Sequence, residues 1–220
     1  MELRRIRGVI DRVVADGTVT AELDGKVHEV FPVAPGPEEC DAIQRWVERH
    51  EPQATLEVGL GYGISALSIC LALVRTGVDT PRHVVIDPFQ ASRFSNVGLQ
   101  LLAAAGVAGM VEHHGEESQI VLPRLLSGRR AFDFAFVDGN HRFDPVFVDL
   151  FYLGRLLRPG GVSVLDDHQL LGVARAVNFF VQNLRWTIEE RSDADPEHQW
   201  VVLRTSTQPD DRPSTHFESF

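Results

Sequence analysis

The chain has 220 residues, of which 44% are hydrophobic and 24% charged, and a formal net charge of −10. This is the balance of a soluble globular protein with one large domain or two small ones, and the excess of carboxylates argues against a nucleic-acid partner, whose affinity would rest on Lys and Arg. Two cysteines, Cys40 and Cys70, exclude a disulfide scaffold, and no run approaches the ~18 apolar residues of a membrane span.

The opening MELRRIRGVIDRVVADG alternates charged with apolar residues and lacks the apolar core of a signal peptide, and the two cysteines lead to the expectation of a reduced cytoplasm. Residues 1–37 read as a mixed N-terminal arm or lid. GTVTAELDGKVHEVF alternates loosely around Asp24-Gly25, a hairpin signal. PVAPGPEE then breaks regular structure. CDAIQRWVERH places Ile43, Trp46 and Val47 at helical spacing, and Pro37-Glu38-Glu39 suits the first turn of that helix.

From residue 55 the pattern changes. TLEVGL, HVVID, MVEHHG, FDFAFVDG and VSVLDDH read as five strands. GYGISALSICLALVRTG, NVGLQLLAAAG, SQIVLPRLLSG, DPVFVDLFYLGRLLRPGG and GVARAVNFFVQNL read as the helices between and after them, the fourth stopped by Pro-Gly-Gly. WTIEER and QWVVLRT read as a closing antiparallel hairpin joined by SDADPEH. The expected fold class is α/β: a doubly wound, mostly parallel sheet of seven strands with an antiparallel C-terminal hairpin. Residues 206–220 are polar and read as a loosely held C-terminal tail.

In an open α/β sheet, ligands bind beyond the carboxyl ends of the strands. There the sequence places Glu57-Val-Gly59-Leu-Gly61-Tyr-Gly63, Asp87-Pro-Phe89-Gln90, Glu116-Glu117-Ser118, Asp138-Gly-Asn-His141 and Asp166-Asp167-His168. Gly59, Gly61 and Gly63 give G-x-G-x-G, with Ile64 where a dinucleotide fingerprint needs its third glycine. A plain tight turn would use the same glycines. Glu57, acidic inside an apolar strand, needs a partner, which a cationic cofactor would provide. Asp87 can accept both hydroxyls of a ribose, or cap a turn. Phe89 can cover an adenine ring or pack in the core; Glu117 and Ser118 can meet the adenine edge or cap the next helix.

This arrangement resembles the class I S-adenosylmethionine-dependent methyltransferases over roughly residues 38–205. LEVGLGYGISAL is similar to their first motif, HVVIDPFQ to their second, and FDFAFVDGNHRFD, LLRPGG and VSVLDDH to the later strands of small-molecule O-methyltransferases. Within that class the chain is most similar to a bacterial branch related to the catechol and sugar enzymes. The resemblance implies a Rossmann-like methyltransferase domain over 38–205. It implies S-adenosylmethionine held by Glu57, Gly59, Gly61, Tyr62, Gly63, Asp87, Phe89, Glu117, Ser118 and Asp138. The motif of nucleic-acid amino methyltransferases is absent after the fourth strand.

Asp138, Asp166 and Asp167 stand at the ends of two strands, where three carboxylates repel unless neutralised. Mg²⁺ or another divalent cation takes oxygen ligands of this kind, and in the related metal-dependent enzymes these three positions hold the metal. They also read as plain caps of the following loops. His141 replaces a lysine of the catechol-type pattern and remains usable as a general base, with Asp138 beside it. His168 reads as base, metal ligand or loop residue. His141 and His168 also admit Mn²⁺, Fe²⁺ or Zn²⁺. His113-His114 reads as structural; Phe31, Trp46 and Phe143 read as pocket walls or core. The expected activity is methyl transfer to a hydroxyl of a small metabolite, and the closing hairpin and N-terminal arm lead to the expectation of a homodimer. Alternatives are metal-free transfer with His141 as base, an Asp/His metal-dependent hydroxylase, and a nicotinamide oxidoreductase, against which Ile64 and Glu57 argue.

Overall fold

A computed structural model describes residues 2–31, 33–192 and 195–220. Pro32 of the predicted break, and Asp193 and Ala194 of the predicted hairpin connection, lie outside the described residues. The chain divides into two compact units, Met1–Glu117 and Ser118–Phe220.

The first unit opens with α1 (Glu2–Asp16), then β1 (Thr18–Thr20) and β2 (Val27–Glu29). The hairpin expected at Asp24-Gly25 is present: β1 and β2 pair antiparallel, and Asp24 Oδ1 accepts the Lys26 N–H at 3.0 Å. The helix α1 was not expected. Ile6, Val9 and Val13 are its buried stripe, and the charged residues between them are its solvated face. Next come α2 (Pro37–His50), β3 (Ala54–Val58), α3 (Ile64–Thr76), β4 (Arg82–Ile86), α4 (Val97–Ala105) and β5 (Val111–His114). β3 pairs parallel with β4, and β4 with β5. Parallel neighbours require crossovers, which α3 and α4 supply. α3 buries ten consecutive residues, Ile64 to Leu73, as a helix covered on all sides does.

The second unit holds α5 (Ser118–Ser127), β6 (Phe132–Val137), α6 (Phe143–Leu156), β7 (Leu157–Leu165), α7 (Leu171–Leu184), β8 (Thr187–Arg191) and β9 (Val201–Arg204). β6 pairs parallel with β7, and β9 runs antiparallel to both β7 and β8, as expected for the closing hairpin. β7 begins at Leu157, before the Pro-Gly-Gly read as a helix stop. The pairing register with β6 shifts there, and the Thr205 N–H donates to the Gly161 carbonyl at 2.9 Å. The main sheet has seven strands in the order β5-β4-β3-β6-β7-β9-β8, the expected mixed α/β architecture. Among the described residues, no helix is long and apolar enough to cross a membrane.

Asp149 on α6 is 1% exposed, and burial pushes its carboxyl up to about 7 although the Ser118 hydroxyl bonds to it. A raised native pKa favours the fold at low pH and costs stability as pH rises through it. Wild-type stability is therefore expected to fall by a few kcal/mol between about pH 4 and pH 8 through this group. In Asp149→Asn that component disappears, so the variant is the more stable protein above pH 7. Urea denaturation across pH checks this; parallel curves for the two proteins would refute it.

Candidate active site

The carboxyl ends of β3 and β4 carry the glycine turn and Asp87. Gly59, Gly61 and Gly63 have φ of 93°, 50° and 83°, a left-handed region that disfavours side chains. Gly63 is also closed to a side chain by contact: a Cβ there would lie 3.1 Å from the Gly98 Cα. Gly98 in turn faces the Gly61 carbonyl at 2.8 Å from where its own Cβ would stand. A Cβ at Gly61 would meet nothing within 4 Å, so space lies open against the backbone of the turn.

Asp87 braces this turn. Its Oδ2 accepts the N–H groups of Leu60 at 3.1 Å and Gly61 at 2.9 Å, and the Gln90 side-chain amide at 2.8 Å. Its Oδ1 accepts the Phe89 N–H at 2.7 Å. The same Gln90 amide also reaches the Gly61 carbonyl at 2.8 Å. A carboxylate offers about four acceptor positions, so Oδ1 keeps capacity for a further donor such as a hydroxyl. Phe89 is 50% exposed beside it. Tyr62, 9% exposed, stands edge-on to Phe94 with ring centroids 5.1 Å apart.

The partner of Glu57 differs from the expectation. Its side chain is fully buried; Oε1 accepts the Ser65 hydroxyl at 2.5 Å, and Oε2 lies 2.7 Å from His83 Nε2. The other ring nitrogen of His83 lies 2.9 Å from the Thr55 hydroxyl. The protein itself thus supplies the groups for which a cationic cofactor was invoked. His83, Ser65 and Gly98 were missed in sequence. A histidine in an apolar strand and a glycine inside a helix were the available signals.

His113 and His114 have internal partners, the Asp87 carbonyl at 3.1 Å and Glu112 at 2.9 Å, as the structural reading holds. Glu117 is exposed at the end of the first unit, while Ser118 begins α5 and bonds to Asp149. Trp46 is not a pocket wall: at 3% exposure it packs in the core and stacks on His50 at 5.3 Å. Phe31 is partly buried and packs against the first unit's core.

In the second unit the ends of β6 and β7 bring together Asp138, His141 and Asp167. One ligand atom from each lies within 4.8 Å of the others. The trio expected from sequence was Asp138, Asp166 and Asp167. Asp166 turns elsewhere: its Oδ1 accepts the Asp167 N–H at 2.6 Å. Asp167 adopts φ 58°, a left-handed conformation uncommon for a residue with a side chain. His141 Nδ1 lies 2.8 Å from Asp167 Oδ2, and its Nε2 lies 3.4 Å from Asp138 Oδ1.

With a carboxylate at each ring nitrogen, hydrogen bonds to Asp138 and Asp167 push His141 up to about 10. The two carboxylates thus favour its protonated form, against the expectation of a partly neutral base. The hydrogen bond from His141 holds Asp167 below the usual carboxylate range. Burial pushes Asp138 well above it, and the nearby Asp166 and Asp167 charges add to that. Burial also raises Asp166, and burial lowers His168, whose backbone N–H donates to the Gln199 carbonyl at 2.7 Å. Two carboxylates and an imidazole form a donor set suited to a divalent cation, and the imidazole favours Mn²⁺, Fe²⁺ or Zn²⁺ over Mg²⁺.

A family profile described as a methyltransferase domain matches residues 56–168, the segment that carries the glycine turn, Asp87, Asp138 and His141. No curated protein matches the sequence. Solved structures share the fold at low identity. An O-methyltransferase from Bacillus cereus, in complex with SAH, aligns at TM-score 0.70 and 14% identity, over 92% of this chain and 91% of that one. TomG from Streptomyces achromogenes, an O-methyltransferase involved in tomaymycin synthesis and solved with SAM, aligns at 0.67 and 21%, over 92% and 89%. The SAH-bound methyltransferase PaMTH1 of Podospora anserina aligns at 0.66 and 14%, over 92% and 88%.

Proposed function

Because the chain belongs to the methyltransferase-domain family, we propose that it moves a methyl group from S-adenosylmethionine to a hydroxyl of a small metabolite, with a divalent cation at Asp138, His141 and Asp167. The observation that carries the reading is this Asp-His-Asp cluster within a chain whose matched segment also holds a braced glycine turn open to a ligand. Structures of the same fold with bound SAM or SAH support the cofactor.

S-adenosylmethionine supplies an activated methyl group bound to a sulfonium. The first unit's task is to hold the nucleoside: Asp87 fixes the turn and retains acceptor capacity for a ribose hydroxyl, and Phe89 is exposed where it can cover the adenine. The second unit's task is to prepare the acceptor. A divalent cation held by the carboxylates of Asp138 and Asp167 and by the His141 imidazole would supply a charge that acidifies a hydroxyl beside it. Ligation of a cation would need His141 in its neutral form, so the cation would displace the proton that Asp138 and Asp167 favour on the ring. In the metal-free form of the reaction, Asp138, raised by burial, is the group of the three able to take up the acceptor's proton near neutral pH. Attack of the resulting oxyanion on a cationic methyl donor cancels charge, so positioning and water exclusion carry much of the rate.

A metal-free form of the same reaction has one observation in its favour: His141 already bridges Asp138 and Asp167, with a carboxylate at each ring nitrogen. Calorimetric titration with S-adenosylmethionine and S-adenosylhomocysteine, with and without Mn²⁺ or Mg²⁺, tests both forms. Micromolar binding is expected, together with a Mn²⁺ site lost in Asp138→Asn. Cofactor binding without any metal site would favour the metal-free form. No binding of either ligand would overturn the function.

A further inference from the structure

Residues 206–220, expected to be a loose tail, are docked on the second unit. The Asn183 side chain, 2% exposed, grips Glu218 at two points: its amide donates to the Glu218 carbonyl at 2.9 Å, and its Oδ1 accepts the Glu218 N–H at 2.8 Å. Arg212 donates to the Asn183 carbonyl at 2.9 Å, and Arg175 to the Phe220 oxygen at 2.5 Å. These bonds deliver the Phe220 ring to a defined place. It lies nearly parallel to Phe143, with centroids 6.3 Å apart and planes 11° apart, and edge-on to Phe179 at 5.1 Å.

Phe143 is the first residue of α6 and stands two residues after His141. The other side of this peptide is also closed. A Cβ on Gly172, in the first turn of α7, would lie 2.9 Å from the His141 carbonyl oxygen and 3.0 Å from the Phe143 nitrogen. The segment leading from His141 into α6 is thus packed against Gly172 by its backbone and against Phe220 through Phe143. Phe143 also meets Phe147 at 5.6 Å, and Phe147 meets Phe179 at 4.8 Å, so the contact continues into the aromatic packing of α6 and α7.

We propose that Phe220 is a positioning residue: through Phe143 it fixes the backbone that presents His141 to Asp138 and Asp167. The inference rests on the assignment of that cluster to the reaction. A tail that merely covered α7 would be satisfied by the Asn183–Glu218 grip; the ring two residues further on reaches the start of α6.

The test compares Phe220→Ala, Phe220→Leu and Phe220→Tyr with the wild-type full chain. Hydrogen exchange of the amides of residues 139–143 is expected to accelerate about tenfold in Phe220→Ala. Mn²⁺ affinity should fall about tenfold, the scale found when a partner that orients a metal ligand is lost. S-adenosylhomocysteine affinity should stay unchanged. Phe220→Tyr, which keeps the stacked ring, should restore both properties, and Phe220→Leu, which keeps bulk without a ring, should not. Unchanged exchange at 139–143 in Phe220→Ala would overturn the proposal, as would full function in Phe220→Leu. If the wild type bound no Mn²⁺, the metal reading alone would fall, and the exchange comparison would still decide the role of Phe220.

Discussion

Asp87→Ala is expected to weaken S-adenosylhomocysteine binding by at least ~100-fold and to lower stability by about 3 kcal/mol. Three backbone N–H groups and one side-chain amide converge on this carboxylate. Bonds to an ionised acceptor are worth about 1.5–3 kcal/mol each, but with Asp87 only 3% exposed the recovery is confined to water entering the space the carboxylate leaves. The same change removes the acceptor we propose for a ribose hydroxyl, so affinity and stability should fall together. Asp87→Asn separates the two effects. Its amide oxygen still accepts the Leu60, Gly61 and Gln90 N–H groups, while its NH₂ meets the Phe89 N–H donor to donor and cannot accept a hydroxyl proton. A stability loss of about 1–2 kcal/mol, smaller than in Asp87→Ala, with affinity still reduced at least ~10-fold, is the expected pattern. Calorimetry and urea denaturation on the two variants check it. Wild-type affinity in Asp87→Ala would confine Asp87 to bracing the turn.

His83→Leu is expected to destabilise the fold by about 3 kcal/mol, the second largest effect. The register of β3 and β4 places Thr55 opposite His83, and Glu57 lies two residues along the same strand face. Thr55, Glu57 and His83 are all fully buried, yet each polar atom has a partner. Leucine leaves Glu57 Oε2 without its neighbour in a region closed to water, where a carboxylate without a partner is costly. Adding Glu57→Gln to His83→Leu removes the buried carboxylate. The double variant should recover part of the loss, with a coupling of about 1–2 kcal/mol. Chemical denaturation of the two single variants and the double variant closes the cycle; additive losses would show that the two side chains do not act as a pair.

The alternation of strands and helices was legible because each element's pattern is local. Five apolar runs ended at glycine or aspartate, and the sheet stands where they predicted. α1 escaped notice because its buried residues are only Ile6, Val9 and Val13, while Leu3 and Val14 are exposed among many charges. Its stripe becomes visible as a stripe only when α3 and α4 cover it. The early start of β7 escaped because Pro159, Gly160 and Gly161 are poor strand residues; pairing with β6 and bonds from Thr205 and Arg204 override that preference.

The sequence by itself determined which residues stand at the strand ends, since a strand's last residue and the turn after it are neighbours in the chain. Gly59, Gly61, Gly63, Asp87, Asp138 and Asp167 were found in this way. Only the tertiary structure decided what those residues face. His83 meets Glu57 across 26 positions, Asp87 meets Gly61 across 26, and His141 rather than Asp166 completes the cluster with Asp138 and Asp167. Such pairings depend on strand register and on backbone conformation after the strand, as at Asp167 with φ 58°. The docking of Phe220 on Phe143 lies furthest from sequence: a polar tail has no period to read, and its place is fixed by Asn183 and Arg175 on a helix it meets only after folding.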